Sequence, residues 1–390
     1  MQLSPPDNSF QAALYYESLP DGRVRCTLCP HECKIAPGHR GACGVRLNRR
    51  GKLFTLVGAR IVSAELDPIE KKPLFHFLPG SRAYSISTVG CNFRCRFCQN
   101  WEISQWSKTG GGIDREEEES HGPEPDELER QRVVGHPPGV FCPRQDAPAN
   151  DWVPGRPVTP SDLVKEAQRC GAASLAYTYT EPTIFYELAL ATARAASAAG
   201  LGNVFVTNGF IALEPLREVA AYLNAANIDL KSFRDSFYRK ICGGRLQPVL
   251  AAIQEYKKLG VWIELTTLLI PGLNDGAGEL REMAAFIRTA LGEDVPWHLS
   301  RFYPASKMDD RSLTPVSTLR RARDIGREAG LRYVYLGNVP EEEGAADTAC
   351  PWCGAVVIRR QRFAVVENAL QAGRCPRCTQ VLAGRWASAS

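Results

Sequence analysis

Apolar and polar residues follow two rhythms between residues 83 and 336, and the switching between them predicts the fold. Ala83-Tyr84-Ser85-Ile86-Ser87 has the two-residue period of a strand. Thr159 before Pro160 marks a helix start. Leu163, Val164 and Ala167 then form one apolar stripe that Gly171 ends. The pairing of a short apolar run with an amphipathic run recurs after that. Strands are predicted at 173–177, 203–207, 227–230, 261–270, 296–302 and 333–336, and helices at 182–200, 213–223, 248–259, 280–291 and 316–329. Repeated strand-helix units mean a parallel sheet with right-handed crossovers. The predicted class is therefore α/β, a partial or near-complete (β/α) barrel, whose loops at the carboxyl ends of the strands are the place to look for chemistry.

Outside this rhythm the chain divides into smaller parts. Residues 1–65 form a cysteine-rich region, 66–340 the barrel and 341–390 a ribbon-like C-terminal appendage. The stretch 102–158 interrupts the barrel. It carries Gly110-Gly111-Gly112, Glu116-Glu117-Glu118-Glu119 and many prolines, and reads as an irregular surface insertion. With 390 residues, 44% of them hydrophobic and 23% charged, the chain has the balance of an ordinary globular enzyme. A net charge of +4 is too small to select nucleic acid or an anionic surface as partner. Met1 to Phe10 lacks a signal-peptide core, and no apolar run is long enough to span a bilayer, so a cytoplasmic protein with no membrane partner is expected.

Cysteine usage changes this picture most. Most of the fourteen cysteines fall in short groups, which in a reducing compartment means metal ligation. Cys142, Cys170 and Cys242 stand apart and are expected as buried small side chains. Cys26, Cys29, Cys33 and Cys43 make a complete four-thiolate shell, suited to a structural zinc or an accessory iron-sulfur cluster, with His31 and His39 as loop histidines beside it. Cys350, Cys353, Cys375 and Cys378 flank apolar strand-like stretches, the pattern of a zinc ribbon. Its arginines offset the negative charge of a tetrathiolate zinc. No aromatic stripe accompanies them, which disfavours nucleic acid.

Cys91, Cys95 and Cys98 differ from both groups, because they offer three thiolates and no evident fourth. A zinc knuckle with a remote fourth ligand is one reading, although knuckles usually come as two short pairs. The other is a four-iron, four-sulfur (4Fe-4S) cluster, in which three cysteines leave one iron open to an outside ligand. The spacing resembles the cluster motif of radical S-adenosylmethionine (SAM) enzymes. Asp67-Pro68-Ile69-Glu70-Lys71-Lys72-Pro73-Leu74-Phe75-His76-Phe77-Leu78-Pro79-Gly80, and the continuation Cys98-Gln99-Asn100-Trp101-Glu102-Ile103-Ser104-Gln105, narrow the likeness. They resemble the AmmeMemoRadiSam-system radical SAM enzymes, relatives of the pyruvate formate-lyase-activating enzymes. The likeness takes in the Cys26 to Cys43 loop and runs through the barrel to Asn338, leaving the C-terminal ribbon outside.

The resemblance implies a site. Cys91, Cys95 and Cys98 would hold the 4Fe-4S cluster, whose open iron would bind S-adenosyl-L-methionine, with Asn100 in the same motif on the cofactor side. Glu181, after Thr178-Tyr179-Thr180, falls where the family presents a glycine-glycine-glutamate segment to the SAM amino group, although the glycine pair is missing here. Asn208 and Gly209 resemble a segment lining the SAM pocket, and Leu269 to Asp275 the adenine-side loop. Asp229 and Lys231 match an Asp-Leu-Lys segment of glycyl-radical activators, and alternation along the strand places both on one side. His298 alternates with Ser300 and Phe302 and joins Asp229 and Lys231 as a candidate catalytic residue, its rival reading being a satisfied core histidine. His76 suits packing as well as chemistry.

The expected activity is reductive cleavage of SAM to a deoxyadenosyl radical that abstracts hydrogen from a glycyl-radical protein or from a small molecule. The electron donor would be a protein such as flavodoxin or ferredoxin. The rival class is a non-enzymatic multi-zinc scaffold that grips protein or nucleic acid.

Overall fold

The computed structural model describes residues 10–106, 153–339, 342 and 344–386. The glycine and glutamate runs at 110–119 and Cys142 lie outside the described residues. Eight strands form one sheet: β1 (Ser63–Pro68), β2 (Arg82–Ser87), β3 (Ser174–Tyr177), β4 (Gly202–Thr207), β5 (Ala225–Asp229), β6 (Trp262–Leu269), β7 (Trp297–Arg301) and β8 (Val334–Gly337). Their order in space is their order in the chain. Strands β2 to β8 are parallel throughout, and β1 is antiparallel to β2, with Asp67 opposite Ala83. Strands β1 and β8 stand at opposite ends of the order. The sheet is thus a partial barrel of seven parallel strands with one antiparallel edge.

Helices cover the parallel strands, so those strands are buried on both faces and read as apolar runs rather than alternating ones. Every residue of β3 is buried. Helix α1 (Pro160–Arg169) starts where Thr159 and Asp162 exchange side-chain and backbone hydrogen bonds. Helices α2 (Tyr186–Ala198), α3 (Leu213–Ala220), α4 (Leu246–Lys258), α5 (Ala277–Phe286) and α6 (Val316–Glu328) follow the remaining strands. The helix predicted at 182–200 is two pieces, because the residues from Pro182 to Phe185 form a separate single turn that Glu181 caps. The edge strand β1 was not legible. Its sequence, Ser-Ala-Glu-Leu-Asp-Pro, mixes charges with a proline that only an edge tolerates. Among the described residues no helix is long and apolar enough to cross a membrane.

The N-terminal region consists of two small antiparallel sheets built from Gln11–Ala12, Arg46–Arg49 and Lys52–Thr55, and from Tyr16–Ser18, Val24–Cys26 and Lys34–Ile35. Val24, Leu28, Val45 and Leu53 share one core with the barrel helices. A buried ion pair fixes the join, since Arg46 reaches Glu187 at the start of α2.

The C-terminal strands β9 (Thr348–Ala349), β10 (Val356–Gln361) and β11 (Ala364–Asn368) pack on the opposite end of the barrel, where the strands begin. Val357, Ile358 and Leu382 share a core with Phe75, Tyr333 and Tyr335. Buried Arg360 donates to the Phe75 carbonyl (2.8 Å) and to Thr348 Oγ1 (2.8 Å), and lies 3.5 Å from Glu70. The backbone of Arg385 pairs with His76 and Leu78. The ribbon thus closes the floor of the barrel.

Of the isolated cysteines, Cys242 is buried as expected. Cys170 is exposed instead, because it caps the last turn of α1 on the helix's outer side.

Candidate functional site

Cys91, Cys95 and Cys98 occupy the loop after β2, at the carboxyl end of the sheet. Backbone hydrogen bonds hold the loop against the turn that ends at Cys242: Arg94 N donates to the Cys242 carbonyl (2.7 Å) and Arg96 N to the Ile241 carbonyl (3.1 Å). Cys98 N donates to the Cys95 carbonyl and Gly90 N to the Ile103 carbonyl, so the three thiols are carried on a fixed frame. Donors surround the sulfurs. Phe93 N lies 3.3 Å from Cys91 Sγ, Asn208 Nδ2 3.8 Å from the same atom, and Ser104 Oγ 3.2 Å from Cys98 Sγ.

The Cys95 thiol is pushed well up, first by its hydrogen bond with Cys242 and then by burial; burial does the same to Cys98.

Lys231 stands beside this loop, with Nζ 5.7 Å from the Phe97 ring centre and 2.7 Å from Asp229 Oδ2. Burial works against its charge, but Asp229, Cys95 and Cys242 outweigh burial and raise it well above an ordinary lysine. Asp229 and Lys231 thus emerge on one side at the end of β5, and a fixed positive charge faces the thiols.

Glu181 occupies the turn after β3 and is buried. Its Oε1 accepts from Thr183 N (3.1 Å), Thr183 Oγ1 (2.7 Å) and Thr207 Oγ1 (2.7 Å), and its Oε2 accepts from Asn208 N (2.7 Å). Three of these four donors crowd Oε1, and Oε2, with one, keeps an acceptor position open. Glu181 therefore ties the turn after β3 to the turn after β4.

The second turn carries Asn208, which donates to Asn92 Oδ1 (2.8 Å) inside the cysteine loop. Gly209 has φ +70°, and a Cβ there would lie 3.0 Å from Ile228 and 3.3 Å from Val249, so close packing requires glycine. Asn100 donates to the Tyr179 carbonyl (2.9 Å), a second link between the cysteine loop and the β3 turn. Tyr179 itself has φ +62° and turns its ring inward, over Lys72 Nζ at 4.3 Å, while its hydroxyl donates to Asp67.

His298 is placed elsewhere. It is the second residue of β7, near the strand's beginning, and its Nε2 lies 2.7 Å from Glu264 Oε2. Glu264 also accepts from Phe75 N (3.0 Å), His76 N (2.8 Å) and Trp262 Nε1 (3.0 Å). His298 stacks on Tyr335, and His76 bonds to the same tyrosine and to the Ala383 carbonyl. Both histidines belong to the floor beneath the ribbon. Strand alternation correctly faces His298 inward, but it does not say at which height.

The structure thus brings Cys91, Cys95, Cys98, Asn100, Asn208, Asp229 and Lys231 to one end, with Glu181 and Gly209 supporting the turns. Asn92, Cys242 and Tyr179 join them, although sequence alone assigned none of the three a part in the site. Asn92 lies between Cys91 and Cys95, Tyr179 stands in the turn before Glu181, and Cys242 read as an isolated buried thiol.

The Sγ atoms of Cys350, Cys353, Cys375 and Cys378 all lie within 4.8 Å of one another, as ligands of one ion must. At the other end, three thiols with donors aimed at their sulfurs, on one loop and beside a lysine, suit a cluster that is anionic once ligated. The donor set fits a 4Fe-4S group held by Cys91, Cys95 and Cys98.

Comparison with known proteins gives the family. The family model described as the radical SAM superfamily matches residues 85–287. A protein of Methanocaldococcus jannaschii described as uncharacterized is 40% identical over 368 residues, covering 94% of this chain and 97% of its own. That coverage leaves too few residues unmatched to exclude the whole C-terminal unit, so the match reaches into it. Among solved structures, a domain of a pyruvate-formate lyase-activating enzyme from Bacteroides vulgatus is 17% identical, covers 43% of this chain and 100% of its own, and has a TM-score of 0.39. Streptococcus suis SuiB is 11% identical over 73% of this chain and 56% of its own, with a TM-score of 0.43. The chain belongs to the radical SAM superfamily.

Proposed function

We propose that this chain activates a partner protein by taking a hydrogen atom from a glycine in a loop that enters the open end of the barrel. Superfamily membership supports the first step, cleavage of SAM at an iron-sulfur cluster. When bound, that cluster supplies one electron to the sulfonium of SAM, which parts into methionine and a deoxyadenosyl radical. Cys91, Cys95 and Cys98 are assigned as its ligands, and the single observation that carries the reading is that they stand on one loop at the carboxyl end of the sheet with Asp229 and Lys231 beside them. Lys231 holds positive charge against the thiolates. Asn208 orients Cys91, and Glu181 holds Asn208 in place. His298 is assigned to the floor, outside the reaction.

A one-electron donor such as flavodoxin or ferredoxin would supply the electron, and zinc would fill the ribbon, where four thiols already stand at single-ion spacing. The test is anaerobic incubation of the reconstituted chain with SAM and reductant, with and without candidate proteins encoded beside it. Deoxyadenosine in the absence of partner, and a glycine-centred radical signal in its presence, are the expected products. A fully loaded cluster that yields no deoxyadenosine would remove the enzymatic reading. Deuterium transferred to deoxyadenosine from a small metabolite, and from no protein, would replace the glycyl-radical substrate with that metabolite.

A further inference from the structure

We infer that Cys26, Cys29, Cys33 and Cys43 hold a second iron-sulfur cluster of two or more irons, through which an electron reaches the catalytic one. The inference rests on the reading of Cys91, Cys95 and Cys98 as catalytic ligands. Its first support is the spacing of the thiols. The four N-terminal thiols line one space, with His31 and Arg46 on its walls. A single tetrahedral zinc with bonds of about 2.3 Å pulls its sulfurs to within about 4 Å of one another. The ribbon thiols already stand that way. Among the described residues, they are the group that closes within 4.8 Å, and the N-terminal thiols are not drawn together like this. A cluster spreads its thiolates over separate irons and needs the wider frame.

Donors point at the sulfurs here too. Ala42 N lies 3.4 Å from Cys33 Sγ, and a guanidinium nitrogen of buried Arg46 lies 3.6 Å from Cys26 Sγ. Hydrogen bonds to cluster sulfurs stabilise the anionic, ligated state.

The second support is position. Gly90 immediately precedes Cys91 and has φ +95°. A Cβ there would lie 2.9 Å from the Cys43 carbonyl oxygen and 2.7 Å from Val45 Cγ1. On the other side of Cys91, the Asn92 carbonyl lies 2.7 Å from His31 Nε2, and the His31 ring packs on Phe210 at 4.9 Å between centres. The N-terminal loop therefore touches both neighbours of a catalytic ligand, one layer of backbone away from it. The ribbon, the other four-cysteine unit, sits at the far end of the barrel and touches neither.

A centre saturated by four thiolates has no open position for substrate, which leaves outer-sphere electron transfer as its chemistry. Held by Cys26, Cys29, Cys33 and Cys43, such a centre would take one electron from a low-potential donor protein, which is oxidised, and would pass that electron on toward Cys91, Cys95 and Cys98, with no bond or proton moving.

The test uses the full chain, purified and reconstituted with iron and sulfide without oxygen, and two variants. In the Cys91→Ala/Cys95→Ala/Cys98→Ala variant, about two to four irons with matching sulfide are expected to remain, with a spin signal on reduction. A second zinc in that variant, or iron without sulfide, would overturn the proposal. In the Cys29→Ala/Cys33→Ala variant, SAM cleavage driven by dithionite should persist while cleavage driven by a reduced protein donor falls at least about tenfold. Undiminished turnover with the protein donor would remove the relay. Retained ribbon zinc reports folding, and the iron count of the first variant decides the cluster even if the second variant does not fold. Loss of all iron in the second variant would defeat the catalytic assignment and leave the N-terminal cluster standing, so the two failures are distinguishable.

Discussion

Replacing Glu181 by glutamine separates two uses of one carboxylate. The family resemblance points it at the SAM amino group, whereas in the structure four donors of its own chain hold it, three on Oε1 and one on Oε2. Glutamine has the same shape but only one acceptor oxygen. If that oxygen keeps Thr183 and Thr207, the new NH2 faces Asn208 N, donor against donor. One charge-assisted bond of about 2 kcal/mol is lost, and a buried amide hydrogen left unpaired adds about 1–3 kcal/mol. The sum is about 3–5 kcal/mol, concentrated in the turn after β4. Backbone hydrogen exchange of the segment 203–210 should therefore quicken by at least about a hundredfold in the absence of SAM. SAM binding should weaken secondarily as Asn208 loosens its hold on Asn92 and Cys91. Hydrogen exchange read by mass spectrometry, with SAM binding measured on the same samples, is the assay. If exchange without SAM stays at the wild-type rate while SAM affinity falls, Glu181 is a direct ligand and the reasoning from its bonds within the chain is wrong.

Three further outcomes follow from the same geometry. Cys95→Ala should cost the catalytic centre its iron, about four atoms per chain, and leave the ribbon metal in place, as elemental analysis would read. Loss of both would show that the two sites are not independent. Lys231→Met removes a partly buried positive charge facing Cys95 and leaves Asp229 unpaired. The reduction potential of the catalytic cluster should fall by on the order of 50 mV, about 1 kcal/mol for one electron, with iron content unchanged in a potentiometric titration. His76 is pulled down to about 4 by burial, so it is neutral at pH 7. A base with a lowered folded pKa takes its proton more readily when unfolded. Its contribution is present in full above about pH 6.5 and is lost as pH falls to about 4, up to about 3 kcal/mol. Urea unfolding at pH 7 and pH 5 should show a larger acid loss in the wild type than in His76→Asn, and equal losses would contradict that neutral burial.

The alternating sheet was legible because each parallel strand carries a short apolar run ended by a turn, and each helix one stripe. Gly171 and Gly260, with φ of +66° and +79°, mark two of the helix ends. The cysteine loop was legible from spacing alone, since three thiols within eight residues need no tertiary information to be grouped. What was not legible depends on height along the barrel. Residues at either end of a strand share one alternation, so His298 at the floor and Lys231 at the mouth carry the same pattern. Cys242 looked like an isolated small residue, and only the packing of its turn on the loop 94–96 sets it beside Cys95.

The two cysteine-rich ends are bound to the barrel by the same device. Arg46 in one and Arg360 in the other are buried and meet the carboxylates of Glu187 and Glu70, while Arg360 also takes the Phe75 carbonyl. Such a pair adds little net stability over an apolar contact, but removing one partner leaves a buried charge that costs about 3–5 kcal/mol. Selection for stability alone would therefore not favour either pair, and fixing the orientation of each unit is the better account of them. The buried, hydrogen-bonded glutamates divide the same way. Glu181 fixes the turns around the catalytic loop, and Glu264 fixes the segment Phe75-His76 on which the ribbon rests. A barrel open along one sheet edge has no closed hydrogen-bond ring to keep its ends in shape. The buried charges at mouth and floor supply that restraint, and the motif from Asp67 to Gly80 carries the floor's share of it, since Asp67 stands opposite Ala83 at the start of β2 and His76 meets the ribbon.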